Sequence, residues 1–465
     1  MAEPRHNGGD DAGPAGFAAV RGLLRLLLRV FYRRIEVIGA ERVPASGGLI
    51  VAANHHNSVV DAMLLLAVVP RRLRTLANAP LFQHPLIGPF LKLLGALPVR
   101  RRQEAGSDPR KNDSLFAETT RTLREGGGII IFPEGRTQHE PVLLELRTGA
   151  ARMLLAAQPA PVTLLPAGLV FRKPGIFREG EALVLFGEPV PLDEYCELAR
   201  ADAELAARKL TERLAQALRD LIVETGDLET LGLLEMAEGL WRAERDAGPG
   251  RADERLQWLR LAAEGHRDYS QRNPERLAGY KRRLQRFADE LDLAGLSLRS
   301  LSAERAGAPA LRFALRQGLL LLLAAPLALC GWLLHGLPYA LVGAAVLLIP
   351  HTAEEEATDK MAAGLVLYPA SWCVEGWLAW HWGGGLALLA FLVLLLPAGV
   401  VALWWRHRLA RAAREICVLV RIFGDPGVVQ RLREERARLL AELKALAELR
   451  PAPGARAGRK EGEAA

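Results

Sequence analysis

Between Gln317 and Trp405 the chain runs through four apolar stretches, Gln317–Leu334, Leu337–Ala353, Met361–Trp380 and Leu386–Trp405. Each is near the ~20 residues a helix needs to cross a bilayer, although the second is short. About four membrane spans are therefore predicted within 311–406, with a very apolar buried helical domain as the weaker alternative. Arg312 and Arg316 precede the first stretch and Arg406, Arg408, Arg411 and Arg414 follow the last, while the links near His335 and His381 carry no Lys or Arg. Cationic flanks favour the cytoplasmic side, so both ends are expected there, with an even number of crossings.

The remainder of the 465 residues is long enough for a soluble domain with its own core. Lys and Arg (60) outnumber Asp and Glu (53), and nearly all the cations are arginines clustered near apolar segments. That distribution suits anionic lipid or phosphate as partner rather than nucleic acid. Cys196, Cys330, Cys373 and Cys417 are widely spaced and form no C-x-x-C pair, so neither a disulfide framework nor a zinc site is indicated and no metal is expected. Residues 1–15 are polar and rich in Gly and Pro, which predicts a disordered leader, no secretory signal and an N-terminus that stays in the cytoplasm.

From Phe17 to Arg33, arginines 21, 25, 29 and 33 recur every fourth residue among Val20, Leu23, Leu24, Leu26, Leu27, Leu28, Val30 and Phe31. On a helix this gives an arginine stripe beside a broad apolar face. Two readings fit: a helix lying in a membrane interface, or a core helix with a solvated edge. Beyond it, apolar runs at Leu49–Ala53, Gly128–Phe132, Val162–Leu165 and Ala182–Phe186 predict buried strands. Helices are predicted at Asp61–Val69, Leu86–Leu94, Asp113–Glu125 and Gly149–Ala157, so residues 16–195 form an α/β domain, a sheet flanked by helices. Residues 196–310 are charged and rich in Ala, Leu, Glu and Arg, which predicts a helical connecting region without chemistry. Within 407–465, Gln430–Leu449 has the pattern of an amphipathic cytoplasmic helix, followed by a disordered tail.

Two segments carry chemistry. The strand ending at Ala53 leads into Asn54-His55-His56-Asn57-Ser58-Val59-Val60-Asp61 and an apolar helix. A carboxylate that holds one imidazole nitrogen fixes the tautomer and makes the other nitrogen a better base toward an alcohol. From this segment alone, Asn57 and Ser58 serve equally as helix caps and the histidines as loop residues. The second segment is Phe132-Pro133-Glu134-Gly135-Arg136, where a buried strand ends in a glycine that lets the backbone near an anion and an arginine that grips it in a fork. Between them, Gly95-Ala96-Leu97-Pro98-Val99 precedes Arg100, Arg101 and Arg102.

Taken together these segments resemble the glycerophospholipid acyltransferases. Four blocks match in order: Asn54–Asp61, similar to N-H-x-x-x-x-D; Gly95–Arg101, similar to G-x-x-P-V-x-R; Phe132–Arg136, FPEGR; and Val162–Pro166, an apolar strand ending in proline. The resemblance covers about residues 17–195. Lys360, Gly364, Tyr368-Pro369 and Trp372 in the apolar region look more loosely like a multi-span subgroup acting on glycerol 3-phosphate or dihydroxyacetone phosphate. One departure bears on the base: the histidine that directly follows the asparagine is His55, whereas four-residue spacing to Asp61 points to His56. Reach to the carboxylate favours His56.

The resemblance implies direct attack of an acceptor hydroxyl on an acyl thioester, acyl-CoA or acyl carrier protein, with no cofactor. It makes Arg101, Glu134, Gly135 and Arg136 the acceptor-phosphate site and gives Pro166 the donor or oxyanion side. Charge supports the arginines only, since Glu134 repels a phosphate and is better suited to orienting an arginine or the acceptor's hydroxyls. Phospholipid synthesis at the cytoplasmic face of a bacterial-type inner membrane is the implied setting. Two rivals are a metal hydrolase using His55, His56 and Asp61 as ligands, and a catalytically dead membrane scaffold.

Overall fold

The computed structural model describes residues 14–83, 87–99, 113–173, 175–244, 252–296, 308–348, 355–424 and 426–448, with single residues 298, 301 and 352. Two compact units are present: Met1–Glu224 with Pro338–Ala370, and Thr225–Leu337 with Ser371–Ala465. The predicted leader, up to residue 13, and the C-terminal tail lie outside the described residues.

In the first unit seven strands form one sheet: β1 (Arg34–Ile38), β2 (Gly48–Ala53), β3 (Leu73–Asn78), β4 (Leu97–Val99), β5 (Gly128–Ile131), β6 (Val162–Arg172) and β7 (Glu181–Phe186). Their spatial order is β1-β7-β6-β2-β5-β3-β4. The five strands from β6 to β4 run parallel, β7 lies antiparallel on β6, and β1 is parallel to β7. The four predicted strands are all here. β1, β3 and β4 escape apolar patterning because they sit at or next to the sheet's margins and tolerate charged or polar residues such as Arg34, Glu36 and Arg74.

Helices α1 (Pro14–Phe31), α2 (Ser58–Val68), α3 (Ile87–Leu93), α4 (Asp113–Arg124), α5 (Gly149–Ala157), α6 (Asp193–Ala201) and α7 (Ala203–Arg219) complete this part of the chain. β2 is buried at every residue because both faces of the sheet are covered. Leu49, Val51 and Ala53 pack with Leu24 and Leu28 of α1 and Val60 and Leu64 of α2. On the opposite face, Ile50 and Ala52 meet Leu123 of α4, Leu154 of α5, and Leu210 and Leu214 of α7. The contribution of α7 extends the packed unit past the expected boundary at 195, to Glu224.

α1 packs as the core-helix reading of its sequence expects, with one apolar face left exposed. Leu24, Leu28 and Phe31 are buried, and the arginine stripe is partly turned inward: Arg21 and Arg25 each donate from Nε to the Ala67 carbonyl, at 3.1 and 2.8 Å. Those guanidiniums satisfy the open carbonyl end of α2, where a positive charge is favoured. Leu23, Leu26 and Val30, spaced to share one helical face, remain exposed.

The remaining helices are α8 (Leu228–Glu244), α9 (Ala252–Arg272), α10 (Pro274–Ala294), α11 (Ala308–Leu348), α12 (Glu356–Gly424) and α13 (Pro426–Glu448). α8, α10 and α13 share a core that includes Leu240, Leu284, Phe287, Leu432 and Leu439. The expected C-terminal helix is thus a packed element. Arg316–Leu348 and Glu356–Ala413 are long and apolar enough to cross a membrane, by length and composition. α11 continues through the expected link at His335, so the first two apolar stretches share one helix. α12 breaks its helical geometry at Gly384 (φ 62°, ψ −159°), between the third and fourth stretches.

Candidate active site

The carboxyl ends of β2 and β5 lie side by side, and their outgoing connections diverge. α2 leaves β2 over one face toward β3, and α5 leaves β5 over the other toward β6. In open α/β sheets, ligands bind beyond strand ends whose connections leave to opposite faces in this way. Both chemistry-bearing segments are there.

Asn54 fixes the first segment. Wholly buried, it donates from Nδ2 to the Leu169 carbonyl at 2.8 Å and accepts from the Leu169 N–H at 2.7 Å, locking the end of β2 to β6. His55 follows, and its Nδ1 lies 2.8 Å from Asp61 Oδ2. That oxygen also accepts from the backbone N–H of His56 (2.8 Å) and of Asn57 (2.9 Å). Asp61 stands in the first turn of α2 and reaches back over the helix start, as capping carboxylates do. Its side chain is fully buried, while the His55 ring keeps 15% of its surface exposed.

Sequence spacing favoured His56 as the partner of Asp61, and the structure corrects this. The turn at Asn57 and Ser58, with Ser58 at φ 44°, curls the chain so that Asp61 meets the His55 ring but only the backbone of His56. The His56 ring points to the second segment, with Nδ1 2.9 Å from the Gln138 carbonyl. A carbonyl only accepts, so His56 carries its proton on Nδ1. Likewise the Asp61 carboxylate accepts a hydrogen bond from the Nδ1–H of His55, which leaves the His55 Nε2 lone pair available.

The second segment is tied to the first. The His55 ring stacks on Phe132, with centroids 4.1 Å apart and planes 13° from parallel. Glu134, 3% exposed, accepts from the His55 N–H through Oε1 (2.8 Å) and from the Leu144 N–H through Oε2 (3.0 Å). The Gln138 N–H donates to the His55 carbonyl at 3.2 Å. Burial raises the Glu134 carboxyl above the usual carboxylate range, against the opposing pull of the Leu144 and His55 N–H groups. Gly135 has φ +71°, and Arg136 next to it is exposed.

Pro166 does not join this group. It pairs in register with Ala52 and is buried on the α7 side, near Gly187 and Leu221, while the dyad is on the α2 side. Proline is tolerated there because the β7 ladder starts only at Ala167. Arg101 lies outside the described residues. Sequence reasoning missed Tyr32, whose buried hydroxyl accepts from Asn57 Nδ2 at 2.7 Å and whose pKa is pushed up by burial and by the Asp61 charge. It missed Asn54 as an anchor, and Gln138 and Arg147 as parts of the second loop. No spacing rule signals these, since each acts across long sequence separations.

A family model described as Acyltransferase matches residues 34–170. The 1-acyl-sn-glycerol-3-phosphate acyltransferase of Bacillus subtilis is 30% identical over 189 residues, which is 40% of this chain and 87% of that protein. The glycerol-3-phosphate O-acyltransferase 2 of Saccharomyces cerevisiae is 29% identical over 136 residues, 28% of this chain and only 18% of that protein. Among solved structures, the 1-acyl-sn-glycerophosphate acyltransferase of Thermotoga maritima aligns with a TM-score of 0.34 at 20% identity, over 44% of this chain and 79% of that one. On the extent of the Bacillus match, together with the matching family model, this chain belongs to the acyltransferase family.

Proposed function

We propose that the chain transfers a fatty acyl group from an acyl thioester, acyl-CoA or acyl carrier protein, to a hydroxyl of glycerol 3-phosphate or 1-acylglycerol 3-phosphate. The observation that carries this reading is the 2.8 Å contact of His55 Nδ1 with a buried Asp61, on a loop bonded to the one that bears Arg136. His55 Nε2 takes the acceptor's hydroxyl proton as that oxygen attacks the thioester carbonyl. The C–S bond then breaks, and the departing thiolate receives the proton from the imidazolium. A positioned base of this kind contributes ~10²–10⁴ in rate. Asp61 holds the tautomer, and Arg136 draws the acceptor's phosphate to the loop next to the base.

The relatives' names support glycerol phosphates as acceptors, and the apolar helices with arginine flanks support reaction at the cytoplasmic face of a membrane, an inner membrane if the cell is bacterial. Purified full-length protein in detergent, given labelled acyl-CoA with glycerol 3-phosphate, 1-acylglycerol 3-phosphate, dihydroxyacetone phosphate and a lysophospholipid in parallel, tests the reading. Acylation of either of the first two supports it. Product from only dihydroxyacetone phosphate or the lysophospholipid reassigns the acceptor, and no acyl transfer to any of them removes the reading.

A further inference from the structure

The Phe132–Arg136 turn is built around a glycine that something else crosses. A Cβ on Gly135 would fall 2.7 Å from Nε, 3.0 Å from Cδ and 3.4 Å from Cζ of Arg147. The Arg147 side chain therefore lies directly across the Gly135 backbone. Its own main chain is fixed in the same place, with the Arg147 N–H donating to the Pro133 carbonyl at 2.8 Å. Gly135 is thus constrained twice, by φ +71° and by the arginine above it.

Two like charges now flank one turn, Arg136 by sequence and Arg147 by the return of the chain. Both side chains are exposed, and among the described residues neither makes an ion pair or a side-chain hydrogen bond. Glu134, next to Gly135 in the chain, directs its oxygens to the His55 and Leu144 N–H groups. A pair of uncompensated guanidiniums set around a turn suits a doubly charged phosphate monoester, which offers more than one oxygen to separate forks. A structural arginine would more simply be paired with a carboxylate or bonded to carbonyls, as Arg21 and Arg25 are on α1.

We propose that Arg147 is a second binding residue for the acceptor's phosphate, acting with Arg136 across Gly135. This rests on the reading that the acceptor is phosphorylated. The bonds from Glu134 and Gln138 to His55 place this turn beside the base, so a phosphate held by both arginines keeps a glycerol hydroxyl within reach of the dyad.

Steady-state kinetics of the full-length protein in detergent test it, with 1-acylglycerol 3-phosphate as acceptor, acyl-CoA as donor and inorganic phosphate as competing anion. Arg147→Gln is expected to raise the acceptor KM by about ten- to a hundredfold, with the donor KM nearly unchanged. The inhibition constant of inorganic phosphate should rise in parallel, which a purely structural role would not produce. Arg147→Lys, which keeps the charge and loses the fork, should fall between. An unchanged acceptor KM in Arg147→Gln, or donor and acceptor KM rising together, overturns the proposal. If wild-type protein acylates no phosphorylated acceptor, the functional reading itself has failed; if it does so and Arg147→Gln matches it, only this assignment has failed.

Discussion

His55 and Asp61 are joined ring to carboxylate at 2.8 Å, whereas His56, one residue nearer in sequence, offers the same carboxylate only its backbone N–H. The two histidine rings therefore have different partners, the Asp61 carboxylate for His55 and the Gln138 carbonyl for His56.

His55→Ala should lower kcat by about 10²–10⁴, and it should also cost stability, because the ring stacks on Phe132 and bonds the buried Asp61 carboxylate. His56→Ala should keep most turnover and lose about 0.5–1.5 kcal/mol of stability with its bond to Gln138. Parallel turnover assays and thermal melts decide the matter, and an inactive His56→Ala beside an active His55→Ala reverses the assignment.

Arg136→Lys should raise the KM for a phosphorylated acceptor by about ten- to a hundredfold, the equivalent of ~1.5–3 kcal/mol for a charged hydrogen bond, with little effect on the donor. If the donor KM moves instead, Arg136 holds the phosphates of coenzyme A. Initial-rate measurements with each substrate varied separately distinguish these outcomes.

Glu134 gives a pH signature. Its carboxyl is raised in the folded protein by burial, so the native state holds that proton at pH values where the unfolded chain has lost it. Stability then declines as pH rises from the ordinary carboxylate pKa through the raised one. Relative to Glu134→Gln, which cannot titrate, the wild-type melting temperature should fall across that window. Melts of both proteins from acid to neutral pH would reveal it, and parallel curves count against a raised carboxyl.

Arg25 is expected to matter for folding more than for lipid. Its bond to the Ala67 carbonyl closes the end of α2, so Arg25→Ala should cost about 1 kcal/mol of stability while leaving vesicle binding largely intact. Leu26→Glu, on the exposed apolar face of α1, should do the reverse. Sedimentation with anionic vesicles and thermal melts of the same variants separate the two roles.

The sequence by itself determined the α/β class, the four most buried strands, the apolar character of the C-terminal region though not its division into two long helices rather than about four, and the two segments that carry His55, Asp61, Glu134 and Arg136. Apolar runs and strand-to-helix turns are local signals, and local signals survive in a linear string. What the tertiary structure decided was pairing. Spacing along the chain could not tell which histidine the turn at Ser58 would present to Asp61, because the path of the turn, with Ser58 at φ 44°, sets which ring reaches the carboxylate. Nor could it show Pro166 facing α7 instead of the dyad, since a strand sends successive side chains to opposite faces and only the sheet's packing says which face is which. Arg147 reaches Gly135 from twelve residues downstream because the Leu144 and Arg147 N–H groups are bonded back to Glu134 and Pro133, contacts that exist only once the loop has closed.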